Sequence, residues 1–519
     1  MKKSIFSFVL AVYMLVSLIP TTALAADSYG MIVGGIEVTA ENCQNITGPG
    51  ISGKVSYDPA QNILTFDNAT VTGYSYQEVT DKDGKTSVEA IGVLIKKPSL
   101  TVAFIGNNEI SIAISDQPAD ICSAITSESS LTLQAAAGST ITVRASGAKD
   151  NVGIVSASAL IMNEGTFLVE SGSSGKGMSY GILADSLEST SSLIVKSGDC
   201  DNHDSVAIAT AQHIYLNGTG SVSVHSGNGA ISAGIICGSE LQINVPADIC
   251  SGTSTDAMSI GIFAQQPVTV QKHAEMKVVI SGEDSAVAGD IVLSDELYWD
   301  GNKKAAKPSH YTHAQQDAPI KNASQYRYIR ILSADLLPEI PFGDVPRDIF
   351  YTAPVVWAVR ENITAGTTPV QFSPDSKCTR AQTVTFLWRA AGCPESTVNT
   401  TPFTDVKENT YYYKAVLWAV EKEITSGMTP TTFEPETTVT RGQVVTFLWR
   451  AQGEPEIKRN SSSFTDVSKD SFYTIPVFWA VENEITSGMT ATTFEPNTGC
   501  TRGQIVTFLW RNAGEPDII

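Results

Sequence analysis

Two hydrophobic rhythms divide this chain. From residue 27 to 335, short alternating apolar segments such as Thr166-Phe167-Leu168-Val169-Glu170 are punctuated by Ser, Gly, Asn and Asp. Within them a small residue followed by an aliphatic recurs as Gly92-Val93, Ala124-Ile125, Gly153-Ile154, Gly181-Ile182, Ala207-Ile208, Gly234-Ile235 and Gly261-Ile262. The steps are 32, 29, 28, 26, 27 and 27 residues. Short strands and polar turns at this period predict a β-solenoid with one coil per repeat. Stacking would bury the aliphatic ladder, place the small residue at a tight inward corner, and leave Ser, Thr and Asp outside. Tyr29 to Gly73 reads as first strands and an N-terminal cap, and Tyr326 to Ile331 as a closing strand.

The second rhythm is longer and stricter. From Phe342 onward the chain repeats every 61 residues without insertion, starting at Phe342, Phe403 and Phe464. Asp344, Asp405 and Asp466 keep register, as do Trp357, Trp418 and Trp479, then Gly366, Gly427 and Gly488. Arg380, Arg441 and Arg502 follow, and Trp388, Trp449 and Trp510 close the set. Each copy reads as two helices joined by a turn-rich loop. In the middle copy Tyr413, Leu417, Val420 and Ile424 form the apolar stripe of the first helix. The second helix opens on a capping box, Thr379 with Gln382, Thr440 with Gln443, and Thr501 with Gln504. Gly392, Gly453 and Gly514 supply left-handed caps, and the prolines two residues later prevent continuation.

The N-terminus carries Lys2 and Lys3, an apolar run from Ile5 to Ile19, and Ala23-Leu24-Ala25. That pattern predicts a secretory signal peptide over 1–26 and no membrane span after its removal. The net charge of −20 argues against nucleic acid, which needs clustered Lys and Arg. Eight cysteines without C-x-x-C spacing support neither a zinc site nor a redox motif, so no metal and no cofactor are expected.

Phe-Gly-Asp-Val, Trp-Ala-Val and Thr-Arg-Ala-Gln, repeated in order in each copy with small changes, resemble the S-layer homology (SLH) domains of bacterial surface proteins. The segments fall at 342–395, 402–456 and 463–517, after a linker at 336–341. The resemblance implies an all-α pseudo-threefold bundle, an intrachain pseudo-trimer, that binds secondary cell-wall polysaccharide, often bearing pyruvate ketals. It also implies a secreted protein held at the cell wall or S-layer. The usual Gly-Tyr-Pro-Asp-Gly loop is replaced here by Gly366-Thr367-Thr368-Pro369 and Gly427-Met428-Thr429-Pro430, and Gln replaces the commoner Glu of the motif.

A helix start favours anions, and Arg at its first position adds a forked donor for a carboxylate. Arg380, Arg441 and Arg502 are therefore the expected polysaccharide ligands. Asp344, Asp405 and Asp466 would accept from hydroxyls, Trp357, Trp418 and Trp479 would border the groove, and Gly366, Gly427 and Gly488 would let backbone approach. Thr379, Gln382, Thr440, Gln443, Thr501 and Gln504 are read as caps.

The N-terminal region resembles the right-handed parallel β-helices of bacterial surface and carbohydrate-binding proteins. Two functions compete for it: binding of an external polysaccharide or a host surface, and a wall-anchored polysaccharide lyase or glycoside hydrolase. Asp201-Asn202-His203-Asp204 is the nearest acidic cluster and is read as a polar turn. Asp81-Lys82-Asp83-Gly84 is similar to a calcium loop but lacks its downstream ligands. No catalytic residue is assigned, and the expectation is a non-enzyme.

Overall fold

The computed structural model describes residues 27–518 apart from 81–85, 116–118, 273–274, 295, 304–310, 313–319, 348 and 459–460. The expected signal peptide and the Asp81–Gly84 loop lie outside the described residues. The chain forms two compact units that part between Leu336 and Leu337.

The first unit is a parallel β-solenoid of about seven turns. Its spine is the repeated aliphatic position. Val93 pairs with Ile125, Ile125 with Ile154, Ile154 with Ile182, and the ladder continues through Ile208, Ile235 and Ile262. It ends on Val287, whose neighbour Ala286 extends the small-aliphatic series by one copy. The small residue does sit at an inward corner. A Cβ at Gly181 would lie 2.3 Å from Val195 Cγ1 and 2.6 Å from the Ala207 carbonyl. Two successive residues thus face the core, which strict alternation cannot provide.

That corner changes the faces of the strand. Because Gly181 and Ile182 both point inward, Tyr180 and Leu183 fall on the opposite side. They join Val152, Val206, Ala209, Ala233 and Ile236 in a second apolar cluster. These strands are therefore apolar on both faces, unlike the expected aliphatic-in, polar-out pattern.

The serines depart from expectation too. Ser179, Ser205, Ser232 and Ser259 are wholly buried, and pair through their hydroxyls with Ser171, Ser197, Ser226 and Ser251 at 2.7–2.9 Å. Each of the four also reaches the carbonyl of the glycine at the turn, Gly172, Gly198, Gly227 or Gly252. A buried hydroxyl costs free energy unless bonded, and this ladder satisfies every one. The Ser-Gly dipeptide recurring at these turns was the available sequence signal.

Antiparallel strands close both ends. Ile51–Asp58 pairs with Ile63–Val71 at the start, and Tyr328–Ser333 pairs with Lys277–Ser281 and Leu297–Asn302 at the finish. The last of these antiparallel pairings buries an Arg330–Asp300 ion pair at 2.6 Å.

Among the described residues the second unit contains six helices, two per copy: α1 (Thr352–Arg360), α2 (Arg380–Ala390), α3 (Tyr413–Glu421), α4 (Arg441–Ala451), α5 (Thr474–Glu482) and α6 (Arg502–Asn512). The first helix of each copy packs on the second helix of its neighbour: α3 on α2, α5 on α4, and α1 on α6. That cyclic pattern closes the pseudo-threefold ring. One detail differs from the sequence reading. α3 ends at Glu421, so Ile424 is buried in the loop beyond it. The face of α3 with no exposure is Ala415, Val416 and Ala419, whereas Tyr413 and Val420 are only half-buried.

Candidate functional site: the helix starts of the C-terminal unit

At each second helix the capping box is complete. Thr379 Oγ1 accepts from Gln382 N, and Gln382 Oε1 accepts from Thr379 N at 3.1 Å, with the same pair of bonds at Thr440 and Thr501. The remaining donors of the first turn go to another copy. Arg380 N donates to Thr437 O and Ala381 N to Pro435 O. Arg441 N and Gly442 N reach Thr498 O and Pro496 O, and Arg502 N and Gly503 N reach Ser376 O and Pro374 O. The backbone donors that would bind an anion at a helix start are therefore engaged inside the bundle.

The arginine side chains follow the same route. Arg380 Nε donates to Phe433 O, Arg441 Nε to Phe494 O, and Arg502 Nε to Phe372 O, all at 2.8–2.9 Å. Each guanidinium lies over two phenyl rings of that same copy. Arg380 has Phe433 at 4.7 Å and Phe447 at 5.5 Å; Arg441 has Phe494 and Phe508; Arg502 has Phe372 and Phe386. All three arginines are nearly inaccessible, at 2–4%. Burial pushes their pKa down, to about 10 for Arg380. Stacking on π faces offsets part of the cost of burying the charge.

Three residues close the centre. Cys378 N donates to Cys500 O, Cys500 N to Val439 O, and Val439 N to Cys378 O, forming a ring of main-chain bonds. Both thiols are fully buried there, and burial pushes them up to about 11 for Cys378 and about 12 for Cys500. The arginine joints are alike but not identical. Arg502 Nη2 finds Thr364 Oγ1 at 3.4 Å, while Arg380 Nη2 is buried with no hydrogen-bond partner among the described residues.

The other expected ligands are placed as follows. Asp344 accepts from Phe372 N and Ser373 N, Asp405 from Phe433 N and Glu434 N, and Asp466 from Phe494 N and Glu495 N, at 2.7–2.9 Å. These carboxylates fix the loop whose carbonyl receives the arginine. Gly427, at φ +87°, sits in a tight turn where a Cβ would lie 2.5 Å from the Phe403 ring; Gly366 and Gly488 repeat this. Trp357, Trp418 and Trp479 are 5–8% exposed on the first helices. Trp510 is buried, while Trp388 and Trp449 are half-buried, and all three donate Nε1–H to the carbonyl of the following proline. The partner phenylalanines were not singled out from sequence, although Phe372, Phe433 and Phe494 keep the same 61-residue register.

Family comparison decides what this ring is. The S-layer homology domain model matches residues 341–384, 402–445 and 463–506. The C-terminal unit carries three SLH domains. An SLH-bearing chain of this kind is a cell-surface, wall-anchored protein. Among the described residues no helix is long and apolar enough to cross a membrane. The chain is 31% identical over 123 residues to a cell surface protein of Thermoanaerobacter kivui, covering 23% of this chain and 16% of that one. It is 30% identical over 182 residues to an endoglucanase of Bacillus sp. (strain KSM-635), covering 33% and 19%. The chain thus spans less than a fifth of the length of either relative.

The endoglucanase corrects one expectation. A non-enzyme was expected because no catalytic constellation was legible in the solenoid, yet a relative sharing a third of this chain is named for hydrolytic activity. In the solenoid, Asp201 and His203 are exposed, whereas Asp204 is half-buried at the entry to the strand Ser205–Thr210. Asp150 holds the same place at the strand Asp150–Asn163, with Oδ1 accepting from Met178 N at 2.8 Å. Burial raises the pKa of both carboxyls. Tyr180 occupies the rung between, paired with Val152 on one side and Val206 on the other.

Proposed function

We propose that the SLH unit holds the protein non-covalently to a secondary cell-wall polysaccharide carrying carboxylate groups, such as pyruvate ketals. The observation that carries this is the closed ring of three SLH domains. Within it, the arginines act first as joints that set the three copies in place. Arg380 differs in having a buried Nη2 with no hydrogen-bond partner among the described residues, an unsatisfied donor inside the joint. Sedimentation of the full chain with intact and with acid-stripped cell walls tests the anchoring. The carboxylate is tested by comparing pyruvylated and chemically depyruvylated polysaccharide. Equal affinity for the two would remove it from the account.

For the solenoid we infer an action on polysaccharide, and the relative named endoglucanase favours hydrolysis over retention alone. Asp150 and Asp204 stand two rungs apart, roughly 10 Å by the strand spacing. That is near the separation used by inverting acid–base pairs. Burial raises both carboxyls beside a polar turn, which is the direction a general acid needs. Incubation with a panel of soluble glycans should release reducing ends, and Asp204→Asn should abolish that release. Release unaffected by Asp150→Asn and Asp204→Asn would move the chemistry elsewhere.

A further inference from the structure

Cys250 has different company from the other thiols of the solenoid. Cys43, Cys122, Cys200 and Cys237 are buried and turn their sulfurs to main-chain carbonyls. Cys250 is half-buried, and its Sγ meets His225 Nδ1 at 2.7 Å. On the far side of the ring, His225 Nε2 lies 3.7 Å from Asp248 Oδ2. The imidazole thus bridges a thiol and a carboxylate. With the thiol on Nδ1, the ring proton belongs on Nε2, facing Asp248.

Strand register creates this arrangement. In the strands Val222–His225 and Ala247–Cys250, the side chains of Val222, Val224, Ala247 and Ile249 are buried in the core. Alternation then turns Ser223, His225, Asp248 and Cys250 outward. His225 pairs directly with Cys250 and Ser223 with Asp248, so the carboxylate is the diagonal neighbour of the ring. Ser226 and Ser251 follow at once, and their hydroxyls are held by Ser232 and Ser259 in the buried ladder. Each member of the thiol–imidazole pair is therefore one residue from a fixed point. Lys196, which pairs with His225 on the preceding rung, lies 3.7 Å from Glu170, and Glu170 also holds Arg144. His225 and Asp248 are 37% and 57% exposed, so the site faces solvent.

Burial, with Asp248 nearby, pushes the Cys250 thiol up to about 11. At neutral pH the resting nucleophile is a thiol, not a preformed thiolate. Attack therefore needs its proton to move to Nδ1 as the new bond forms, which is general-base catalysis with the base already in contact.

We propose that Cys250, His225 and Asp248 form an acyl-transfer site on the solenoid, acting on esters of small acyl groups such as an O-acetyl. Cys250 is the nucleophile, His225 the base and Asp248 a positioning residue. The sulfur bonds to the ester carbonyl carbon while its proton passes to His225 Nδ1. The ester C–O bond then breaks, and the alcohol leaves with that proton. Water attacks the resulting thioester, giving a proton to the same nitrogen; the S–C bond breaks, the carboxylic acid is released and the thiol is restored. Ser223 and Ser281, paired with Asp248 and Cys250, are short polar neighbours, which suits a small acyl group on an exposed chain. The ester is a different target from the glycosidic bond assigned to Asp150 and Asp204. Its product is measured separately from reducing ends, so either reading can fail alone.

The test is incubation of the full chain with p-nitrophenyl acetate, following p-nitrophenol by absorbance and acetylated peptides by mass spectrometry. Cys393, exposed in the C-terminal unit, is the internal reference. The expected result is acetylation of Cys250 faster than of Cys393 despite its lesser exposure, with p-nitrophenol released beyond one equivalent per chain. Cys250→Ala should remove that turnover. His225→Gln, which cannot take the proton, should slow acetylation of Cys250 about tenfold or more. Asp248→Ala should lower kcat severalfold at unchanged KM, and Asp248→Asn should restore most of it. Circular dichroism checks that the variants fold. No acetyl group on Cys250, a rate no faster than that of Cys393, release that stops at one equivalent, or a His225→Gln rate equal to the parent's would overturn the site. An unchanged kcat in Asp248→Ala would overturn the role given to that carboxylate.

Discussion

Arg502 in the third SLH copy donates its Nε–H to the carbonyl of Phe372 in the first at 2.8 Å, joining residues 130 positions apart. Together with Arg380–Phe433 and Arg441–Phe494, it makes the motif arginine a joint between copies before it is anything else.

Removing one joint should therefore cost stability as well as affinity. Arg441→Ala leaves the Phe494 carbonyl without its donor and two phenyl faces without their cation. The expected loss is about 3 kcal/mol, from the cost of an unsatisfied buried acceptor plus the lost stacking. Urea unfolding followed by tryptophan fluorescence measures it. A loss below about 1 kcal/mol would show that the joint is energetically minor.

At the solenoid corner, Gly181→Val should destabilise the first unit by about 2 kcal/mol or more, because added methyls meet Val195 and the Ala207 backbone in a close-packed core. Ala207→Gly, one turn on, should cost about 1 kcal/mol or less. Equal effects in urea unfolding would mean that the inward corner is not under packing constraint.

Glu89 makes the solenoid pH-sensitive. Burial pushes its carboxyl from 4.5 to about 7, so the folded state holds a proton that the unfolded state releases. Stability from this group is full below about 4.5 and is lost as pH rises through 7, by on the order of 3 kcal/mol. Asp150, Asp204 and Glu128 are shifted upward as well, also chiefly by burial. The first unit should unfold at higher temperature at pH 5 than at pH 7.5, and Glu89→Gln should flatten the difference. An unchanged pH dependence in that variant would place the proton elsewhere.

Much of the architecture was legible because repeats expose what each position must satisfy. The pair Gly181-Ile182 and its six counterparts marked the corner, and Thr440 with Gln443 marked a helix start. What was hidden is which copy a side chain reaches. Arg380 lies 53 residues from Phe433, and nothing in a one-dimensional repeat says that the arginine crosses to the neighbouring copy. The anion-site expectation failed at the backbone for the same reason, since Thr437 and Pro435 occupy the donors. The buried serines were misplaced because a hydroxyl reads as surface until its partner, such as Ser171 for Ser179, is known.

The most direct test of anchoring is sedimentation of the full chain with purified cell walls, before and after the secondary polysaccharide is stripped with acid. The account predicts that the protein pellets with intact walls and stays in solution with stripped peptidoglycan. Equal pelleting with both, or none with intact walls, would contradict it.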